Sequence, residues 1–203
     1  MADKQDIKTK ECNRSTKRTK KLIGEAFYEL MEHKSCFKIS VRELTEHADI
    51  NRSTFYLHYV DIPDLIDQLE AQVCDQVVDA VANIKRTKYV VGKHPLHVRL
   101  FEVLIDNQRQ CQLFLGPNGD INFLRRLTDS MEDAMIEAWS SEYQVDVSEE
   151  LNKYTAYVVH GIMGLFMKNV DGKQGWSAEE MGQMAGEVTN WLDEGLLLKV
   201  LHK

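Results

Sequence analysis

A short segment in the first third of the chain, NRSTFYLHY at 51–59, holds side chains that can make directional hydrogen bonds. Arg52 carries a planar guanidinium, which can pair with the N7 and O6 atoms of guanine. Ser53 and Thr54 can donate or accept a hydrogen bond at a base edge or a phosphate. Because these residues stand at the front of a short predicted helix, we interpret the helix as one that reads base edges in a DNA major groove.

The aromatic residues of the same segment divide between two faces of the predicted helix. Phe55 and Tyr59 lie four positions apart, so they share one face, which we expect to point inward. Tyr56 and His58 are placed for phosphate oxygens, and Leu57 could contact a thymine methyl group. A half-buried core position is the alternative interpretation of Tyr56.

Two short capped helices position these side chains. Ser40 is a favourable N-cap with Glu43 three residues later, which forms a capping box, and Asn51 caps the following helix. Residues 48–50 make the turn between the two helices. Asp49 stands where this turn needs a left-handed residue, and aspartate tolerates that conformation better than most residues do. The spacing is that of a helix-turn-helix motif.

Longer helices surround this motif. A stripe of apolar residues at helical spacing predicts a helix over about 16–33. Asp61 is an N-cap with Pro63 in the first turn, which predicts a helix that ends near residue 83. The fold class is therefore all-α, with further helices predicted over 96–115, 121–142, 148–169 and 177–192.

Charge is distributed unevenly along a chain whose formal net charge is −7. Residues 1–60 carry twelve lysines and arginines and nine carboxylates, whereas the remainder carries 13 basic and 23 acidic residues. Eight of the basic residues lie within 4–21. This asymmetry indicates a basic arm that attracts nucleic acid and an acidic body that repels it. A solvated tail that only aids solubility is the alternative.

Composition excludes several classes of protein. The chain has 203 residues and 43% apolar content, enough for a sizeable core. It has neither an apolar leader segment nor 18 uninterrupted apolar residues, so we expect a cytoplasmic protein without a membrane span. The four cysteines lack metal-ligand spacing, which predicts reduced thiols, no metal and no cofactor; an oxidation sensor is the alternative. No nucleophile–base pair or phosphate loop occurs, so we expect no enzymatic activity.

The segment 15–66 resembles the tetracycline-repressor (TetR) family of bacterial transcription regulators. That family begins its second helix with threonine or serine, places alanine before the turn, and carries a Thr–Phe/Leu–Tyr…His–Phe/Tyr run in its recognition helix. LFLGPNGD at 113–120, a glycine-containing turn between two helices, also resembles the C-terminal domain of a Gram-positive subgroup. The matching positions are Ser40, Ala48, Thr54, Phe55, Tyr56, His58, Tyr59 and Leu65.

The resemblance implies a flexible basic arm (1–14), a helix-turn-helix DNA-binding domain (15–61) and a helical regulatory and dimerisation domain (62–203). Two residues depart from the family pattern. Asp49 replaces the usual turn glycine, and Ile62 replaces a lysine that grips a phosphate, so the arm is the alternative source of that contact. The predicted DNA-binding residues are Arg14, Lys17, Arg18, Ser40, Arg42, Asn51, Arg52, Ser53, Thr54, Tyr56, Leu57 and His58.

The resemblance also implies a small-molecule site within the C-terminal domain. A mixed lining of methionine and aromatic side chains suits irregular apolar ligands, although plain hydrophobic core is the alternative interpretation. The inward candidates are Phe101, Leu104, Phe114, Phe123, Met131, Met135, Trp139, Tyr157 and His160.

Four glycines lie inside the last two predicted helices: Gly161, Gly164, Gly182 and Gly186. Glycine inside a helix costs about 1 kcal/mol relative to alanine, so close approach of another helix is the usual reason for it. The resemblance implies a homodimer in which these helices pair with their symmetry mates; packing within one chain is the alternative. The predicted interface comprises Val158, Gly161, Ile162, Leu165, Met181, Ala185, Val188 and Leu192.

Together these observations predict a sequence-specific regulator of transcription that binds double-stranded DNA. We expect a repressor that acts as a dimer on a near-palindromic operator and responds to a small-molecule effector. The alternative is a partner-dependent co-regulator whose C-terminal domain docks another protein and whose DNA binding is weak.

Overall fold

The computed structural model describes residues 2–82, 94–143, 146–172 and 174–201, and every regular element within them is helical. The all-α prediction is therefore confirmed. A 3₁₀ turn, Cys36–Lys38, separates the first two α-helices. The α-helices are α1 Ala2–Met31, α2 Val41–His47, α3 Arg52–Tyr56, α4 Ile62–Ala82, α5 Pro95–Asp106, α6 Gln108–Leu115, α7 Phe123–Tyr143, α8 Glu149–Gly172 and α9 Ala178–Leu201.

The described residues pack as two compact units. Unit 1 contains Met1–Ala71 together with Leu113–Ile121, and unit 2 contains Gln72–Gln112 and Asn122–Lys203. The change of unit thus falls inside α4, ten residues beyond the predicted boundary. Helix α1 starts at Ala2, well before the expected start near residue 16, so the segment predicted as an arm is continuous with the helix. No apolar stripe marks that polar extension, which is why periodicity misses it.

Unit 1 is built around the apolar face of α1. Ile23, Phe27 and Met31 are fully buried, as are Leu44 of α2 and Phe55 of α3. Burying side chains of this size stabilises a fold by about 2 kcal/mol each. The helix-turn-helix motif is therefore anchored to the helix in front of it through one continuous hydrophobic core.

The α5–α6 region differs from the single helix predicted over 96–115. Helix α5 ends at Asp106 and α6 begins at Gln108. The side chain of Asn107 donates to the carbonyl of Val103 at 2.9 Å and to Oε1 of Gln76 at 2.9 Å. Asparagine competes in this way for local backbone groups, so the helix is interrupted where a buried asparagine makes both bonds.

In unit 2, α9 approaches α5 very closely. A Cβ atom at Gly182 would lie 2.5 Å from Cα of Val98, and one at Gly186 would lie 2.0 Å from Cγ of His94. These two glycines are therefore explained by packing within the chain, which was the alternative interpretation. Gly161 and Gly164 of α8 meet nothing within 4 Å and remain open to another molecule.

A small polar network joins the helices of unit 2. Nε2 of His97 lies 3.0 Å from Oγ1 of Thr189, and the Tyr154 hydroxyl donates to the Thr189 carbonyl at 3.1 Å. Burial, with His94 nearby, lowers the pKa of His97 to about 4. The imidazole is therefore neutral inside the fold near pH 7.

Candidate nucleic-acid interface

The turn between α2 and α3 has the geometry that its sequence predicts. Asp49 has φ of 50°, in the left-handed region, and the Ile50 amide donates to the Thr45 carbonyl at 3.0 Å. Aspartate thus takes the position for which glycine is the usual choice. The turn connects α2 to α3 and leaves one side of α3 facing solvent.

The cap of α2 is only partly the predicted capping box. Oγ of Ser40 accepts the amide of Glu43 at 3.2 Å, as expected. The carboxylate of Glu43 accepts from Lys34 instead, at 2.7 Å. A hydrogen bond from Lys34 and its positive charge lower the pKa of Glu43. The connection that follows α1 and the start of α2 are therefore linked by an ion pair that the sequence alone does not indicate.

Helix α3 is held by two aromatic side chains, Phe55 within it and Tyr59 three residues beyond its end. Phe55 and Tyr59 are buried, with ring centroids 5.5 Å apart. The ammonium of Lys20 lies 5.3 Å from the centroid of the Tyr59 ring and donates to Gln68 at 2.9 Å. Burial raises the pKa of Tyr59 to about 12. Lys20 thus helps to fix the α3 region, a role that sequence reasoning missed because its partners Tyr59 and Gln68 lie about forty to fifty residues away.

The opposite face of α3 is open. The exposed fractions of Tyr56 and Leu57 are 57% and 78%, so the core interpretation of Tyr56 is wrong. Arg52 and Ser53 are exposed, and Asn51 caps α3 without spending its side chain on a cap hydrogen bond. A contiguous set of guanidinium, hydroxyl and amide groups therefore stands at the N-terminus of α3, on the side away from its anchor.

The remaining predicted DNA-binding residues differ in solvent exposure and in whether their side chains already make hydrogen bonds or ion pairs. Nε of Arg42 pairs with Oε1 of Glu46 at 2.8 Å, so one of the five N–H donors of this exposed guanidinium is engaged. Ser40 uses its hydroxyl as the α2 cap. Arg14, Lys17 and Arg18 of α1 are exposed, and Thr54 and His58 are half-exposed.

The N-terminus of α4 is closed by its own carboxylates. Asp61 accepts the amide of Asp64 at 2.9 Å, and Asp64 accepts the amide of Val60 at 2.7 Å. Hydrogen bonds from Gln68 and the Val60 amide lower the pKa of Asp64, so it is ionised near neutral pH. Ile62 is buried. Two acidic groups at this helix end repel a phosphate, in agreement with the departure seen at Ile62.

An apolar groove runs along the outer face of α8 and α9 in unit 2. Its volume is about 350 Å³. Tyr157, Met184 and Val188 are exposed there, and the open Gly161 lies in its floor. The groove contains six of the eight residues predicted for the dimer interface: Val158, Gly161, Ile162, Leu165, Ala185 and Val188. Met181 is buried outside it, and the side chain of Leu192 lies outside the described residues.

The predicted ligand-pocket residues separate into two groups. Phe101, Leu104, Phe123, Met131, Met135 and Trp139 are buried in unit 2, whereas Phe114 is buried in unit 1. Tyr157 and His160 do not point inward as predicted, because they occupy the solvent-facing side of α8. The Nδ1 atom of His160 lies 2.9 Å from the Ala156 carbonyl.

Within the described part of the chain, no helix has the length and hydropathy to cross a bilayer.

Comparison with known proteins places these units in context. A TetR C-terminal family model, described as "Transcriptional regulator C-terminal region", matches residues 94–195. A protein of Bacillus subtilis (strain 168), the "Uncharacterized HTH-type transcriptional regulator YxbF", is 24% identical over 174 residues. That alignment covers 81% of this chain and 42% of the relative, so the chain spans less than half the length of this relative.

Three solved structures share the fold. The "Dihydroxyacetone kinase operon activator DhaS" is 19% identical with a TM-score of 0.59, covering 86% of this chain and 95% of its own. A TetR transcriptional regulator from Streptococcus agalactiae 2603V is 21% identical with a TM-score of 0.59, covering 89% and 98%. A putative transcriptional regulator from Pseudomonas aeruginosa PAO1 is 17% identical with a TM-score of 0.64, covering 87% and 90%.

The helix-turn-helix motif, the all-helical fold and the match over half of the chain agree with one another. This chain belongs to the TetR family of transcriptional regulators.

Proposed function

We propose that the protein is a homodimeric repressor that reads a near-palindromic operator with α3. The observation that carries this proposal is the division of α3 into a buried aromatic anchor and an exposed polar face led by Arg52. A helix fixed on one side and polar on the other can enter a major groove without disturbing the core. Arg52 would pair with a guanine, while Tyr56 and His58 would hold phosphates.

Arg52 is the residue whose removal tests this assignment. We expect Arg52→Ala to lose about 1–3 kcal/mol of discrimination at one base position per half-site. The measurement is fluorescence anisotropy with duplexes covering the DNA around the coding sequence of the protein. Arg125→Ala is the matched control, because Arg125 is an exposed arginine of unit 2. Equal base preference in wild type and Arg52→Ala would exclude Arg52 from base recognition.

The basic residues of α1 would supply contacts to the DNA backbone. Lys17 and Arg18 are exposed, and each phosphate contact that they make releases a counterion. We expect Lys17→Ala and Arg18→Ala to weaken binding to all sequences alike and to reduce the salt slope by about one each. An unchanged slope in both variants would remove α1 from the interface.

A second copy of the chain is the occupant that we propose for the α8–α9 groove. The groove is apolar, and Gly161 and Gly164 would let a partner helix approach the backbone of α8. We expect Gly161→Arg to shift sedimentation from dimer to monomer and to weaken operator binding. Asn152→Arg, which adds the same side chain elsewhere on the exposed side of α8, should remain dimeric. A dimeric Gly161→Arg variant would contradict this interface.

Regulation would come from a small apolar effector held by unit 2. The buried methionines and aromatics of α5 and α7 are the lining that such a ligand would contact. To release DNA, the ligand must bind one state of the dimer more tightly than the other. Thermal-shift screening followed by operator titration tests this: a ligand that raises Tm yet leaves operator affinity unchanged would argue against an effector role for that ligand.

The closed N-terminus of α4 favours a second candidate, a partner-dependent co-regulator with weak DNA binding. Asp61 and Asp64 remove one expected phosphate contact, and DhaS, which shares the fold, is by name an operon activator. Under this alternative the acidic unit 2 would dock another protein. A stoichiometric protein that co-purifies with the chain, combined with weak DNA binding by the chain alone, would support it.

A further inference from the structure

One short segment of unit 1 comes from far along the chain. Leu113–Ile121 includes the end of α6 and the GPNGD turn, and it packs with Met1–Ala71. At its centre, Asn118 makes two hydrogen bonds to the region that joins α1 to α2. These bonds connect residues 82 and 87 positions apart, so they are tertiary contacts of the DNA-binding unit.

The two bonds of Asn118 complete groups that the local chain leaves unpaired. The side-chain amide donates to the carbonyl of Met31 at 3.0 Å. Met31 is the last residue of α1, and a terminal carbonyl has no partner within its own helix. The amide of Cys36 donates to the carbonyl of Asn118 at 2.8 Å. A single residue therefore bridges both ends of the connection 32–35.

Two neighbours fix Asn118 in place. Phe114 packs edge-on against Tyr28 of α1, with ring centroids 6.0 Å apart and an interplanar angle of 84°. A Cβ atom at Gly119 would lie 1.9 Å from the carbonyl oxygen of Phe114, so only glycine fits the turn that follows Asn118. The bridge is thus preorganised by an aromatic contact and by a tight turn.

The connection that Asn118 holds leads directly into the helix-turn-helix motif. Cys36 is fully buried, and Ile39 is buried immediately before Ser40, the cap of α2. Burial raises the pKa of the Cys36 thiol to about 11, with Asp120 and Glu70 contributing. Fixing the backbone at Cys36 therefore fixes where α2 starts and, through the turn at Asp49, the direction of α3.

We propose that Asn118 is a positioning residue for operator recognition, acting through Met31 and Cys36 rather than by touching DNA. This inference rests on the proposed function. Loss of the side-chain hydrogen bond of Asn118 should increase the conformational freedom of the 32–40 segment. It should thereby lower the fraction of protomers in which α3 is oriented for operator binding. One hydrogen bond of this kind corresponds to an affinity change of about two- to tenfold.

The test compares Asn118→Ala and Asn118→Asp with wild type in the full chain. Each variant is titrated with operator and with unrelated DNA, and hydrogen exchange is followed over 32–40. Asn152→Asp is the control for the added charge, because Asn152 is an exposed asparagine of α8. We expect the operator affinity of both Asn118 variants to fall about two- to tenfold and hydrogen exchange over 32–40 to become faster. On unrelated DNA, Asn118→Ala should bind as wild type does, and Asn118→Asp should bind as Asn152→Asp does.

Asn118→Ser keeps a donor, so it should recover part of the affinity, and it is the variant to measure if the other two do not fold. Unchanged operator affinity in the folded variants would overturn the proposal, as would an equal loss on unrelated DNA or unchanged exchange over 32–40. Failure of wild type to select any operator would instead refute the proposed function, which separates the two results.

Discussion

Gly182 provides a sensitive test of how α9 packs on α5. A Cβ atom added at this position would lie 2.5 Å from Cα and 2.6 Å from the backbone nitrogen of Val98. Ordinary van der Waals contact begins near 3.4 Å, so α5 would have to retreat by about 1 Å. Because the obstacle is backbone, rotation of a side chain cannot relieve the overlap.

The expected cost of Gly182→Ala follows from two opposing effects. Alanine favours the helix by about 1 kcal/mol over glycine. Overpacking of a core costs about 1–3 kcal/mol, and a backbone obstacle places this substitution near the upper limit. We therefore expect the free energy of unfolding to fall by about 2 kcal/mol in Gly182→Ala.

Gly161→Ala is the matched control, since nothing of the same chain lies within 4 Å of its added Cβ. Because Gly161 also lines the proposed dimer groove, both variants are compared at a protomer concentration at which the protein is monomeric. Gly161→Ala keeps the gain in helix propensity of about 1 kcal/mol without the overlap. The two variants should therefore differ by about 3 kcal/mol. For a chain of this length, that difference corresponds to roughly 6–12 °C in Tm. Thermal and urea unfolding at one fixed protomer concentration measure it, because dimerisation makes Tm depend on concentration.

A Gly182→Ala variant as stable as wild type would refute the close approach of α9 to α5. The same conclusion would follow if Gly161→Ala and Gly182→Ala shifted Tm equally. In that case the glycines of α9 would need an explanation outside the chain, which is the pairing with a symmetry mate that the family resemblance implies.

Three other features of the fold give measurable outcomes. His97 has a pKa near 4 when folded and 6.5 when unfolded, so the unfolded state binds more protons between these pH values. The free energy of unfolding should therefore fall by about 3 kcal/mol as pH drops from 6.5 to 4, and urea unfolding of His97→Gln should show a weaker dependence on pH over that range. Burial raises the pKa of Cys36 to about 11 and of Cys111 to about 12, so thiol reagents at pH 8 should label them only when urea unfolds the protein. Ser177→Ala should lower stability by about 1 kcal/mol in chemical unfolding, because Oγ of Ser177 accepts the Glu180 amide at 3.2 Å. A loss no greater than that of Ser140→Ala, a half-buried serine within α7 that caps no helix, would contradict the cap.

Local features of this fold could be predicted from the sequence because their causes are local. The left-handed Asp49, the caps at Ser40, Asp61 and Ser177, and the inward pairing of Phe55 with Tyr59 each depend on residues within about one turn. The helices themselves could be predicted from the periodicity of their apolar side chains, because burial of one helix face imposes that periodicity.

Features that depend on distant residues could not be predicted in this way. The bridge made by Asn118, the contact of Lys20 with Tyr59 and the break at Asn107 all require partners that only the folded chain brings together. The glycines of α8 and α9 show the same limit. Their spacing indicates close approach, but only the structure separates Gly182, which faces α5, from Gly161, which faces outward.

The central claim is that two copies of α3 read one operator, and selection of bound duplexes from a randomised library tests it most directly. The protein is mixed with the library at about physiological salt, on the order of 0.15 M, with excess competitor DNA. We expect enrichment of an inverted repeat whose half-sites lie about 10–10.5 base pairs apart, or a multiple of that spacing. A single enriched half-site would contradict the dimer, and no enrichment by folded protein would contradict sequence-specific recognition by α3 itself.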